Sequence, residues 1–202
     1  MKSKLPKEEL KRRAQLVAEN MNGVQSIHLP FYTLSLAYPV KQGMAAFRRY
    51  EASKAINRDP DFMFSAAQEG INNAASVSRF LWPAGRSKLG TEGKSLLEAR
   101  GKRLRETFDI PNNSALNNRA LRNAFEHFDE RLDFYLLEDH SGYFFPNAML
   151  ESHSLADESI GNIFKLIDPD SDCIVLFNEK FFFKSVIDSL EALERRLSKH
   201  TN

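Results

Sequence analysis

Apolar residues recur at helical spacing over most of the chain. From Ser114 to Glu138, in SALNNRALRNAFEHFDERLDFYLLE, the positions Leu121, Ala124, Phe125, Phe128, Leu132, Tyr135 and Leu136 form one stripe, and Arg119, Arg122, Asn123, Glu126, His127 and Glu130 form the opposite face. Apolar positions three and four residues apart mark an amphipathic helix, so one long helix is expected here, buried on its apolar side against other helices. Asp61 to Leu81 predicts a second. Ala66, Gly70, Ala74 and Ser78 recur every four residues, a row of small side chains that lets another helix approach closely at the centre of a bundle. Beside it runs a polar row of Gln68, Asn72, Ser76 and Arg79. Helical patterns also cover residues 1–22, with Leu10, Ala14, Val17, Ala18 and Met21 inward, and, more loosely, Pro39 to Asn57. Two more run from about Thr91 to Phe108, on Leu96, Leu97, Ala99 and Leu104, and from Ser185 to Lys199, on Val186, Ile187, Leu190, Leu193 and Leu197.

The punctuation between these patterns is turn chemistry. Asn22-Gly23, Arg58-Asp59-Pro60, Leu81-Trp82-Pro83-Ala84-Gly85, Asp109 to Ser114 and His140-Ser141-Gly142 are expected breaks. Ser26 to Tyr38 is apolar but carries Pro30 and is followed by Pro39, so it reads as an extended or irregular packed segment. Tyr143 to His153 has no clean helical period. Ile163 to Ile167 and Asp172 to Phe177 look like short strands around an Asp168-Pro169-Asp170-Ser171 turn, and Asn178-Glu179-Lys180 permits a hairpin into Phe181-Phe182-Phe183. So small a sheet is marginal alone. Residues 142–202 are therefore expected to form a hairpin-plus-helix cap on a single helical domain spanning 1–202, and the fold class to be all-α: a helical bundle with a small C-terminal β-hairpin and closing helix.

Composition narrows the function more than the fold. The 202 residues suffice for one good core, and 42% hydrophobic with 27% charged residues describes a globular chain, its 16 Phe making that core partly aromatic. A net charge of +1 gives no overall argument for a polyanionic partner. Locally, Arg86 to Arg105 sets seven cations (Arg86, Lys88, Lys94, Arg100, Lys102, Arg103, Arg105) against Glu92 and Glu98, which reads either as an RNA-backbone contact or as a solvated helix face. Cys173 lies in an apolar run and reads as a small buried hydrophobe. The five histidines are scattered, with no Cys pair and no HExxH, and Asp168, Asp170 and Asp172 lack the later Gly and Glu of a calcium loop and read as a solvated turn. Phosphate-binding glycine loops, GxSxG and dinucleotide fingerprints are absent, so neither a metal nor a cofactor is expected. The start MKSKLPKEEL lacks the apolar stretch of a signal peptide and no apolar run approaches membrane-spanning length, which leads to the expectation of a cytoplasmic protein without a membrane partner.

Candidate chemistry centres on the polar face of the Ser114–Glu138 pattern. At about 100° per residue, Arg122 and His127 stand roughly 140° apart, on opposite shoulders of that face with Asn123 and Glu126 between them. They can flank one groove, which suits a site completed by a second helix or a second subunit. The phrase Arg122-Asn123-Ala124-Phe125-Glu126-His127 resembles the Arg-x4-6-His signature of the HEPN superfamily, with a polar residue after the arginine as is usual there. The resemblance implies a compact, commonly dimeric helical bundle and a metal-independent endoribonuclease of a toxin or phage-defence system. It further implies that Arg122 and His127 are the catalytic arginine and histidine, with Asn123 supporting them. On that expectation His127 is the general acid or base, Arg122 binds the scissile phosphate, and Glu126 holds Arg122 or fixes the imidazole tautomer. Asn72, Arg79, Lys94, Arg100 and Arg103 are the candidate RNA contacts. The expected partners are a second copy, an RNA substrate and an antitoxin protein. The alternatives are a non-catalytic RNA- or protein-binding module on the same scaffold, and an ordinary helix whose Arg122 and Glu126 form a surface pair.

Overall fold

The computed structural model describes residues 4–56, 59–138, 143–158 and 161–199, without the side chains of Leu121 and Arg122. Its helices are α1 (Lys7–Asn20), α2 (Leu29–Ile56), α3 (Pro60–Leu81), α4 (Gly90–Thr107), α5 (Ala120–Glu126), α6 (Phe128–Leu137) and α7 (Lys184–Ser198). Four strands, β1 (Tyr143–Leu150), β2 (Gly161–Asp168), β3 (Cys173–Leu176) and β4 (Glu179–Phe182), make one sheet in the order β1-β2-β3-β4. The all-α expectation is thereby corrected: helices dominate, but a four-stranded mixed sheet is built into the molecule. The turn expected at His140 to Gly142, and His200, lie outside the described residues.

The core explains the arrangement. α2 and α3 run antiparallel and touch where both are small. A Cβ on Gly70 would stand 2.6 Å from the Phe47 ring, and one on Gly43 would stand 2.8 Å from Leu190 and 3.1 Å from the Asn73 Cβ. The expected row of Ala66, Gly70, Ala74 and Ser78 is buried throughout. α7 closes the other side of α2. Leu190 meets Gly43, and Phe183, just before α7, stacks on Phe47 at 6.2 Å and meets Tyr50 edge-on at 5.3 Å. One apolar core runs from Leu36 to Leu197 and takes in Ile167, Ile174, Leu176 and Phe181 of the sheet, so strands and helices share it. A second, smaller cluster buries Leu166, Cys173 and Val175, together with Ile163, beneath Met149, Leu155 and Ala156.

Three further expectations change. Ser26 to Tyr38 is helical, not extended: a 3-10 turn at Ser26–His28 leads into α2. Pro30 sits in the first turn, where its missing N–H costs nothing, and Pro39 is buried within the helix. Ser114 to Glu138 is not one helix but a 3-10 turn (Ala115–Asn117), then α5, then α6, and Leu136 of the expected stripe is exposed. Tyr143 to Leu150 is an edge strand paired in parallel with β2. The register skips from Phe145 opposite Ile163 to Ala148 opposite Lys165, a bulge that places Pro146 where the ladder is interrupted. The β3–β4 hairpin forms, but its turn comes earlier than the expected Asn178-Glu179-Lys180: it runs through Phe177 and Asn178, both with positive φ (50° and 63°), the conformation that matches a two-residue turn to the twist of its strands, and Glu179 and Lys180 lie in β4. Phe177 holds this backbone because its ring is packed among Phe128, Tyr135 and Phe164, with centroids 5.0–5.3 Å away.

Candidate functional site

The C-terminus of α3 is the hub of the polar surface. A helix ends with carbonyls that have no partner within it. Here three guanidiniums supply partners: Arg100 donates to the Arg79 carbonyl at 3.3 Å, Arg105 to that of Leu81, and Arg119 to that of Trp82. Gly101 makes this possible, since a Cβ there would lie 2.6 Å from the Leu81 carbonyl oxygen. Positive charge also complements the negative end of the helix dipole. Arg100 is sandwiched near the rings of Tyr32 and Phe80 (5.9 and 5.7 Å), and burial lowers its pKa. Arg105 lies over Trp82 and donates to Asn112 at 3.1 Å.

This divides the expected RNA contacts. Arg100 is committed to the end of α3. Lys94 is exposed, 3.8 Å from Glu98 one turn on, and Arg103 is half-buried. Asn72 is exposed and its carbonyl accepts the Ser76 hydroxyl. Arg79, seven residues along the same helix face, reaches across to α5 and pairs with Glu126. The polar row of α3 and the Arg122–His127 segment are thus neighbours, and Arg100 links the basic helix α4 to the same corner.

His127 occupies the break itself. Its backbone (φ −114°, ψ 34°) leaves the helical region, yet its N–H still bonds the Asn123 carbonyl and its own carbonyl accepts from Arg131, each at 3.0 Å. α5 and α6 are therefore hinged at His127 rather than separated. The apolar side explains the bend. Phe125 meets Phe64 of α3 edge-on, whereas Phe128 turns to Phe164 and Phe177 of the sheet region, so the two halves follow different neighbours. The imidazole is 63% exposed, with its Nδ1 3.7 Å from a Glu130 oxygen. Asn123 is exposed beside it. Glu126 turns to Arg79. The Arg122 side chain lies outside the described residues; its backbone is in the first half of α5.

Several polar residues with specific partners were not legible as such. Lys165 lays its ammonium 5.1–5.6 Å from the rings of Phe64, Phe128 and Phe164. Strand alternation, which puts it in phase with buried Ile163 and Ile167, was the available signal. His153 Nδ1 pairs with Asp168 at 2.6 Å and latches the 3-10 segment His153–Asp157 onto the β2–β3 turn. The expected solvated turn is corrected here as well, because Asp168 and Asp172 are both buried. Asp172 accepts from the Tyr50 hydroxyl at 2.9 Å and from Lys54 at 2.6 Å. Nothing in the local charge pattern announced that α2 would pack against this turn.

Among the described residues no group of three or more His, Cys, Asp or Glu is placed to hold a metal ion, and no helix is long and apolar enough to cross a membrane. Compared with known proteins, the chain matches no family model, no curated sequence and no solved structure. What the arrangement offers chemically is one solvent-facing imidazole with a carboxylate nearby, next to a cation–carboxylate pair from two elements.

Proposed function

We propose that the protein is an endoribonuclease of HEPN type, with His127 as its proton-transfer group. The observation that carries this reading is the exposure of the His127 imidazole on the α5–α6 hinge, beside Asn123 and with Arg79 of α3 brought to Glu126. In the reaction, a ribose 2′-hydroxyl attacks its own 3′-phosphate, the P–O2′ bond forms and the P–O5′ bond breaks, leaving a 2′,3′-cyclic phosphate and a 5′-hydroxyl. His127 takes the 2′ proton or returns one to the departing oxygen. Arg122 binds the non-bridging oxygens, and Asn123 orients the phosphate or the imidazole. Because Glu126 is engaged with Arg79, Glu130 is the carboxylate left to orient the imidazole. Asn72, Lys94 and Arg103 supply the path for the RNA backbone, beside the Arg79–Glu126 pair. The same resemblance implies a homodimer and, in a toxin or phage-defence setting, an antitoxin partner.

A non-catalytic RNA- or protein-binding module is the second reading, favoured by the pairing of Glu126 with Arg79, which engages in a link between two helices the carboxylate expected to hold Arg122 or the imidazole. One experiment separates the two. Purified protein incubated with mixed RNA in excess chelator is expected to cleave it, and His127→Ala and Arg122→Ala, each folded by circular dichroism, are expected to lower the rate by at least about a hundredfold. RNA retained without cleavage, with a steep salt dependence, replaces the enzyme by the binder.

A further inference from the structure

Between Glu19 and Lys41 the chain carries no Asp, Glu, Lys or Arg. From Leu29 onward this uncharged stretch is the first half of α2. A helix that is apolar on all sides is one that is covered on all sides. One side of α2 is covered, since Thr33, Leu36 and Val40 are in the core. The other is bare: Ile27, in the 3-10 turn leading into the helix, then Phe31, Leu34 and Tyr38 are 76, 69, 63 and 68% exposed. Their spacing of four, three and four residues is the alternation of a two-helix seam. Lys41, the next position in that alternation, ends it. Two aromatic and two aliphatic side chains this exposed present roughly 600 Å² of mostly apolar surface, at the upper end of what a monomer usually leaves open.

We propose that this seam is a homodimer interface, in which α2 of a second copy packs antiparallel so that Ile27 faces the partner's Tyr38 and Phe31 faces the partner's Leu34. Two copies of the patch bury about 1,200 Å² together, the lower bound for a specific, stable interface. The seam is also complementary to itself about a two-fold axis. Antiparallel pairing sets each aromatic ring against an aliphatic side chain and opposes the two helix dipoles, whereas parallel pairing stacks Phe31 on Phe31 and Tyr38 on Tyr38. The lack of charge argues against other occupants, since there is no cation for nucleic acid or an anionic membrane and no charge pattern to select a different protein. This inference stands on the exposure and spacing of α2 and does not rest on the ribonuclease reading.

Sedimentation velocity and light scattering on the full chain at micromolar concentration are expected to give a dimer. Leu34→Glu is expected to weaken association by about a hundredfold with unchanged helical circular dichroism, and Phe31→Ser serves the same purpose if that variant fails to fold. Ile27→Glu and Tyr38→Lys are each expected to weaken the dimer, and the double variant I27E/Y38K to recover part of the loss, because antiparallel packing puts the opposite charges face to face. Absence of that recovery overturns the pairing. A monomeric wild type, a dimer indifferent to both Leu34→Glu and Phe31→Ser, or a wild-type monomer that binds phosphatidylcholine vesicles through this face overturns the interface.

Discussion

At the scale of single residues, the buried carboxylates of the β2–β3 turn fix how the sheet meets the helices. Burial alone raises the pKa of Asp168, but hydrogen bonds from the His153 backbone and imidazole and from Ser171 outweigh it and bring the carboxyl from its ordinary 3.8 down to about 2. Because the folded pKa is depressed, the stabilisation is complete above about pH 4 and is lost as the pH falls towards 2, a contribution of about 2 kcal/mol. Asp168→Asn keeps the shape and gives up the charge, so it is expected to lower unfolding stability by about that amount at pH 7, with the gap to wild type closing between pH 4 and 2 in urea titrations. Cys173 was legible from its apolar neighbours, and the structure agrees: it is fully buried, and burial pushes its thiol up to about 11. Asp168 and Asp172 were not, because their partners His153, Tyr50 and Lys54 come from segments distant in sequence.

At the scale of elements, legibility followed periodicity. α3, α4 and α7 fall within a residue or two of where the apolar pattern placed them, and Gly70 of the small-residue row of α3 is where Phe47 of α2 rests. That contact is tight enough to test. Gly70→Ala would drive a methyl group into Phe47, which is itself pinned by Phe183. The variant is expected to lose about 1–3 kcal/mol despite the better helix propensity of alanine, read from the midpoint of guanidinium unfolding. The failures have equally physical causes. Two prolines disguised the start of α2, because one is harmless in a first turn and the other is carried inside a helix held on its neighbours. The break at His127 was invisible because the apolar stripe continues through it, and only the choice of neighbours, Phe64 for Phe125 and the sheet for Phe128, bends the chain. β1 was hidden by Pro146 and by parallel pairing, which no adjacent turn announces.

At the scale of the whole molecule, the sequence placed the candidate Arg122–His127 segment on an exposed helical face but could not show which elements would reach it; Arg79 pairing with Glu126 and Arg100 tying α4 to α3 depend on tertiary packing alone. The same packing makes α7 indispensable. Leu190, Leu193 and Leu197 belong to the core that α2 and α3 form, and Arg48 ties α2 to Glu194 at 2.8 Å. Removing residues 184–202 is therefore expected to abolish cooperative unfolding, leaving helical far-ultraviolet signal without near-ultraviolet structure. This closure has a consequence during synthesis. A nascent chain that has already released α2 and α3 still presents Phe47, Met44 and Leu36 to solvent, and it goes on doing so until α7 clears the ribosome tunnel. Completion of the fold thus waits on α7, and the intermediate that lacks it is the form of this protein that most needs a chaperone.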